Sequence, residues 1–312
     1  MSALEPTPER LSATPLKLLA ATRPAFLSVT VAGCVVGWGA VRYDAGELSA
    51  PRALLTLVLA LLAHAAINAA NDYYDARNGC DAVNDTRVFP FTGGSRLIPN
   101  GVLSERAMAA WAACLATLTV IGGIALTVWA GPGLLVIGAL GLAVGWSYSA
   151  PPLWLAARGL GEIAVTAGFL LVVLGAYFVQ HEAIGLTPVL AGTVYAMMVA
   201  NILYANQIPD APADARSGKR TLVVRLGVAR AHHVYALLLV GAALLLCGSV
   251  WRGALPTSTL AALLAFALAA NAWQLLRQQS RAGIERAIPR TIGAALGVGA
   301  ALGGALALSA SA

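Results

Sequence analysis

Residues 71–81 read NDYYDARNGCD, and residues 206–214 read NQIPDAPAD. Each stretch begins with Asn and carries Asp four positions later: Asn71 with Asp75, and Asn206 with Asp210. Each then offers a further Asp, Asp81 in the first and Asp214 in the second. Both stretches follow an apolar block of about 20 residues, the length that crosses the hydrocarbon layer of a bilayer. Positions i and i+4 share a face of a helix, so Asn71 and Asp75 project together from the end of the preceding span. Pro209 and Pro212 each remove a backbone donor and crowd the preceding turn, so a broken or loosened turn is expected through the second stretch. The repeated spacing at the same end of two apolar blocks implies two pseudo-equivalent halves that face each other.

Outward from these stretches the chain is overwhelmingly apolar. Of its 312 residues 59% are hydrophobic and only 11% charged, with a mean hydropathy of +0.76. Soluble domains carry roughly 25% charged residues, and so few charges cannot coat a globule of this size. The 32 glycines suit close approach of helices in lipid. Apolar blocks at 25–41, 53–75, 107–130, 132–149, 160–180, 188–206, 230–250, 256–276 and 290–309 give about nine transmembrane helices in an all-α integral membrane protein. Residues 1–24 form a polar arm without the features of a cleaved signal peptide, and 25–312 form a single transmembrane domain. The four cysteines show no metal-ligand or redox pairing, and three lie in apolar blocks as small hydrophobes.

Placing the amino terminus in the cytoplasm puts 17 of the 20 Lys and Arg residues on the cytoplasmic side, leaving Arg42, Arg52 and Arg252 outside. That is the asymmetry expected of cytoplasmic loops, and it puts the carboxyl terminus outside. The net charge of +6 is dispersed between apolar blocks, so it reads as topology and phosphate contacts and not as a nucleic-acid surface. Two cytoplasmic loops, 71–106 and 206–230, make up about a fifth of the chain but hold six of its seven Asp residues. Carboxylate and amide oxygens suit a hard cation, and Mg²⁺ typically takes one or two carboxylates together with phosphate oxygens and water. Acids alone would repel a diphosphate; Arg77, Arg87, Arg96, Arg216, Lys219 and Arg220 in the same loops, with Arg23 before the first span, supply compensating charge.

With FTGGSRLIPNG (91–101) and NQIPDAPADARSGKRTLVVRLG (206–227), these loops resemble the two signatures of the UbiA superfamily of intramembrane prenyltransferases. The resemblance implies a helical bundle around a central cavity open to lipid, Mg²⁺ as cofactor, and a polyprenyl diphosphate and an aromatic acceptor as partners within the bilayer. It assigns Asn71, Asp72, Asp75, Asp81, Asn206, Asp210 and Asp214 to metal and diphosphate. Arg23, Arg77, Arg96, Lys219 and Arg220 are the implied diphosphate contacts. The six-residue step from Asp75 to Asp81, GKRTLVVRLG, and YSAPPLWLAARGLGE (148–162) are most similar to the 1,4-dihydroxy-2-naphthoate prenyltransferases of menaquinone synthesis, implying a bacterial or archaeal cytoplasmic membrane. The Ala-Pro-Ala between Asp210 and Asp214 departs from the more polar stretch common there.

Ionisation of an allylic diphosphate makes a cation that needs π-faces and no water. Tyr148, Tyr204, Tyr73, Tyr74 and Trp146 are the candidates for cation–π contact, with Tyr148 preferred, alongside Asp75 and Asp210 as catalytic residues. Glu162, entering the fifth span, and nearby Arg158 are candidates to orient the acceptor. His64 is either a polar helix–helix contact or a cavity-lining group. Another aromatic acceptor, such as 4-hydroxybenzoate or homogentisate, keeps the same chemistry. A CDP-alcohol phosphotransferase would need one contiguous Asp motif, which this sequence lacks, and a transporter would place its acids along a mid-membrane path.

Overall fold

The computed structural model describes residues 4–309; residues 1–3 of the expected arm and 310–312 lie outside the described residues. Among the described residues all regular structure is helical. A short helix, α1 (Thr14–Ala21), precedes α2 (Pro24–Ala45), α3 (Ala50–Arg77), α4 (Glu105–Ala130) and α5 (Gly133–Ser149). Then follow α6 (Gly161–His181), α7 (Leu186–Arg216), the five-residue α8 (Leu222–Leu226), α9 (Ala231–Trp251), α10 (Leu263–Arg277) and α11 (Arg281–Leu308). Eight of the nine expected spans are helices long and apolar enough to cross a membrane. The one expected at 132–149 is α5, with 17 residues, about 25 Å long against a hydrocarbon layer of about 30 Å. The chain is a multi-pass integral membrane protein.

Local signals set the helix ends. Pro24 occupies the first turn of α2, where its missing N–H costs nothing, and Gly46 ends that helix with φ +78°. The Ser104 side chain accepts from the Ala107 N–H at 3.2 Å and so caps α4. One expectation fails. The helix α7 runs unbroken for 31 residues through Pro209 and Pro212, although a proline inside a helix costs about 3 kcal/mol. Contacts from the segment between α3 and α4 clamp this stretch. Thr86 Oγ1 donates to the Pro209 carbonyl at 2.6 Å, and Arg216 Nη2 reaches the Val83 carbonyl at 2.6 Å and Asp85 Oδ1 at 2.9 Å. The first acidic stretch likewise begins on the end of α3 and not in a loop; of its acids only Asp81 lies beyond the helix.

The helix α7 is the axis of the bundle, with 67% of its most apolar window buried, whereas α4 is peripheral at 11%. Small residues let α2 reach its neighbours. A Cβ on Gly37 would come within 2.6 Å of the Val173 carbonyl on α6, and one on Gly39 would overlap the Gly303 backbone on α11. Tyr195, fully buried on α7, lies against both Gly33 and Gly299. Because α2, α7 and α11 meet at van der Waals distance, Gly39→Val is expected to destabilise the protein in detergent by about 1–3 kcal/mol. Gly123→Ala, whose Cβ would meet nothing within 4 Å, is expected to leave the thermal midpoint unchanged.

Candidate active site

The ends of α3 and α7 converge, and the segment 78–104 folds back between them. Each acidic helix end is held by the segment that follows the other. Lys219, just after α7, is buried and places its Nζ 3.0 Å and 3.1 Å from the two carboxylate oxygens of Asp75 on α3. The same ammonium lies 3.5 Å from Asp214. In the opposite direction, Asn84 Nδ2 donates to Asp210 Oδ1 at 2.8 Å, and the Gly93 N–H donates to Asp210 Oδ2 at 3.1 Å. Asn71 Nδ2 donates to Asp75 Oδ2 at 3.1 Å, as the shared helix face requires.

The backbone after Asp81 makes the acids fit together. Gly93 and Gly94 have φ of +75° and +72°, a region that glycine alone adopts without strain. A Cβ on Gly94 would sit 2.7 Å from Asp81 Oδ2 and 3.0 Å from Asp72 Oδ1, so the turn presses directly against two carboxylates. Arg96 follows with φ +64°, and its guanidinium donates to the Asp81 carbonyl. Glu5 of the amino-terminal arm pairs with Arg87 at 2.5 Å and lies 3.7 Å from Arg96. Arg281 at the start of α11 donates to the Arg87 carbonyl at 2.6 Å.

A polar cavity of about 110 Å³ opens within this frame, lined by Asn71, Asp75, Asp81, Asn206, Asp210 and Asp214. Two cations, Arg23 and Lys219, face four carboxylates there. Burial raises the pKa of Asp81 well above the usual carboxylate range, and the neighbouring charges of Asp75 and Asp72 add to the effect. Burial alone would discharge Lys219, but Asp75 and Asp214 outweigh it and hold the ammonium protonated, its pKa above that of an ordinary lysine. The Oδ1 atoms of Asn84 and Asn206 are buried without partners. The cavity thus has surplus negative charge and free hard oxygen donors, and these residues fit a hard divalent cation. Among the described residues no three His, Cys, Asp or Glu side chains stand close enough to hold one ion by themselves. An ion there would take part of its coordination from substrate or water, as Mg²⁺ commonly does.

A second, apolar cavity of about 600 Å³ runs from this point between α2, α3, α4, α5, α6 and α7. Arg23, Asn71, Phe91, Tyr148, Leu203 and Asn206 line both cavities and form their junction. His64 lines the apolar cavity and bonds Thr30 across to α2 at 2.7 Å, so both expectations for it meet in one side chain.

Several expected site residues lie elsewhere. Asp72 is buried behind the cavity wall, paired with Arg23. Arg77 is exposed and bonds the Tyr73 hydroxyl at 3.1 Å; two positions from Asp75 is about 200° around the helix. Arg220 is exposed, and only its backbone is engaged, with Ala157 at 2.9 Å. Arg96 is buried, but it supports the Asp81 carbonyl and does not line the cavity. Arg158 is exposed and bonds the Pro152 carbonyl at 2.8 Å, away from Glu162, whose partner is Gln207. Of the five aromatic candidates only Tyr148 lines either cavity. Cys80, Asn84, Phe91, Thr92, Gly93 and Gln207 line the polar cavity without having been expected. The Gly-Gly pair in FTGGSR was the available signal for the cradle.

Removing Lys219 leaves two buried carboxylates uncompensated. Lys219→Ala is expected to cost about 3–5 kcal/mol of stability, read as a drop in the thermal midpoint in detergent. Gly94→Ala should cost about 1–3 kcal/mol through contact with Asp81 and Asp72. A midpoint unchanged in both variants would show that the cradle is not as described.

The sequence profile described as the UbiA prenyltransferase family matches residues 28–309. A curated relative from Mycobacterium tuberculosis, named 1,4-dihydroxy-2-naphthoate octaprenyltransferase, is 32% identical over 224 residues, covering 72% of this chain and 74% of that one. One of the same name from Escherichia coli is 30% identical over 230 residues, 72% of each chain. Among solved structures, a UbiA homolog from Archaeoglobus fulgidus bound to DMAPP and Mg²⁺ superposes with a TM-score of 0.62 at 17% identity, covering 94% of this chain and 99% of that one.

Proposed function

The chain belongs to the UbiA prenyltransferase family, and from that premise we propose that it transfers a polyprenyl group from an allylic diphosphate to 1,4-dihydroxy-2-naphthoate, with loss of diphosphate and CO₂. The observation that carries this reading is the junction of a small acidic cavity with a long apolar one at Arg23, Asn71, Phe91, Tyr148, Leu203 and Asn206. Only a substrate with a charged head and a hydrocarbon tail uses both. A prenyl chain prefers lipid by about 0.8 kcal/mol per CH₂, which accounts for a site inside the bundle. The acceptor follows from the named relatives and from the YSAPPLWLAARGLGE segment.

Asn71, Asp75, Asp81, Asn206, Asp210 and Asp214 would hold Mg²⁺, which when bound supplies the positive charge that makes diphosphate a competent leaving group. Arg23 and Lys219 add fixed cations at the cavity wall, and donors aimed at developing charge are worth most where water is excluded. Asp72 acts on Arg23, and Arg96 on Asp81, so both are positioning residues in this scheme. Tyr148 and Phe91 flank the junction, where a ring face stabilises an allylic cation. The apolar cavity takes the tail and keeps water from the cation. The acidic helix ends belong on the cytoplasmic side, as the distribution of Lys and Arg indicates, within one domain of two pseudo-equivalent halves spanning 25–312.

Turnover in membranes tests the proposal, with an allylic polyprenyl diphosphate, Mg²⁺ and either 1,4-dihydroxy-2-naphthoate or 4-hydroxybenzoate. A prenylated naphthoquinol is the expected product, abolished by chelation and restored by Mg²⁺. Asp75→Ala and Asp210→Ala are each expected to lower kcat by about 10²–10³-fold. Product from 4-hydroxybenzoate alone would keep the chemistry and overturn the acceptor. Metal-independent product formation would overturn the role given to the acids.

A further inference from the structure

Gln207 lies beside the diphosphate set, between Asn206 and Asp210 on α7, yet its chemistry differs from that set. Its Nε2 donates to Glu162 Oε1 on α6 at 2.8 Å. Both side chains are more than nine-tenths buried, at 7% and 6% exposure. Gln207 lines the polar cavity while Glu162 stands behind it. The Gln207 Oε1 and Glu162 Oε2 atoms are buried without partners, as is the hydroxyl of Tyr204 one turn earlier on α7. Leaving buried polar oxygens unpartnered costs stability, on the order of 1–3 kcal/mol each. Glu162 stands in the first turn of α6, where the helix N-terminus favours a carboxylate, but that placement does not account for the unpartnered Oε1 of Gln207 on α7.

The direction of the pair decides what it binds. With Nε2 turned to Glu162, the atom of the amide left without a partner is its carbonyl oxygen, an acceptor, and a carboxylate lies behind the pair. That arrangement repels a phosphate oxygen and accepts a hydroxyl hydrogen. Gln207 is therefore unsuited to the diphosphate, although it is surrounded by residues that suit it. We propose that Gln207 binds a ring hydroxyl of the aromatic acceptor through its carbonyl oxygen, and that Glu162 is a positioning residue that fixes the amide in the orientation able to do so. The inference rests on the reading of the protein as an aromatic prenyltransferase and deepens it, because it gives the site a means of choosing hydroxylated rings. A site whose buried acceptor is left empty discriminates strongly against a ligand lacking the hydroxyl.

The test uses the full-length protein in detergent and two analogues lacking one hydroxyl each, 1-hydroxy-2-naphthoate and 4-hydroxy-2-naphthoate, as competitive inhibitors against 1,4-dihydroxy-2-naphthoate. The native protein is expected to bind one of them about tenfold or more weakly than the dihydroxy compound. Gln207→Met, of similar length but without the carbonyl, should erase that difference and raise the KM for the acceptor about tenfold. The KM for the allylic diphosphate should stay within about twofold. Glu162→Gln, which frees the amide to turn over, should weaken the discrimination in part, again without moving the diphosphate KM. A merely structural pair would instead raise both KM values together and lower the thermal midpoint. Either that outcome or undiminished discrimination in Gln207→Met overturns the role of Gln207 while leaving the prenyltransferase reading intact. Native protein that prenylates no aromatic acceptor overturns both.

Discussion

The arrangement depends on one buried ammonium. Lys219 Nζ sits 3.0 Å from Asp75 and 3.5 Å from Asp214, and it joins the end of α3 to the end of α7. Four carboxylates around one small cavity would drive these helix ends apart, and Lys219 with Arg23 offsets enough charge to keep them together. The balance stays negative. A structure that neutralised itself fully would have no electrostatic reason to admit a cation, and one without Lys219 would leave buried carboxylates uncompensated. Because the charged group on each side is clasped by a segment from the other side, the two ends are assembled as one site.

The surrounding contacts serve that assembly. The segment 78–104 has no regular structure of its own among its residues, yet Asn84, Thr86 and Gly93 pin it to α7. Glu5 holds Arg87 from one side and Arg281 holds its carbonyl from another. The amino-terminal arm, through Glu5, and the last span, through Arg281, thus both act on the segment whose turn presses against Asp81. The junction below carries Tyr148 and Phe91, where on the proposed function the head and tail of an amphipathic substrate would meet.

Much of this was legible in the sequence, and the remainder has physical reasons for being hidden. The spans follow from apolar runs, and the paired Asn and Asp from a spacing that a helix turns into a shared face. All six residues named from that spacing line the cavity, and Asp72, which only the resemblance added, does not. The cations divided differently: Lys219 and Arg23 face inward, while Arg77, Arg158 and Arg220 are exposed. Charge alone does not tell which way a side chain points when the helix end or turn that carries it is itself uncertain. The unbroken course of α7 through Pro209 and Pro212 was hidden for another reason, since local propensity is overridden by contacts from a segment more than a hundred positions away. Asn84, Gly93 and Gly94 belong to an irregular segment, where no period marks the residues that turn inward. The Glu162–Gln207 pair joins two helices, so neither residue signals the other in sequence.

Equilibrium binding of a non-ionisable allylic thiolodiphosphate in the presence of Mg²⁺, to native protein and to Asp75→Asn, Asp210→Asn and the double variant, tests most directly that the two helix ends form a single site. Each single substitution is expected to weaken binding by about tenfold or more, with the double variant falling well short of the product of the two effects, because groups sharing one ligand are not independent. Fully multiplicative losses, or binding that survives both substitutions, would contradict the account.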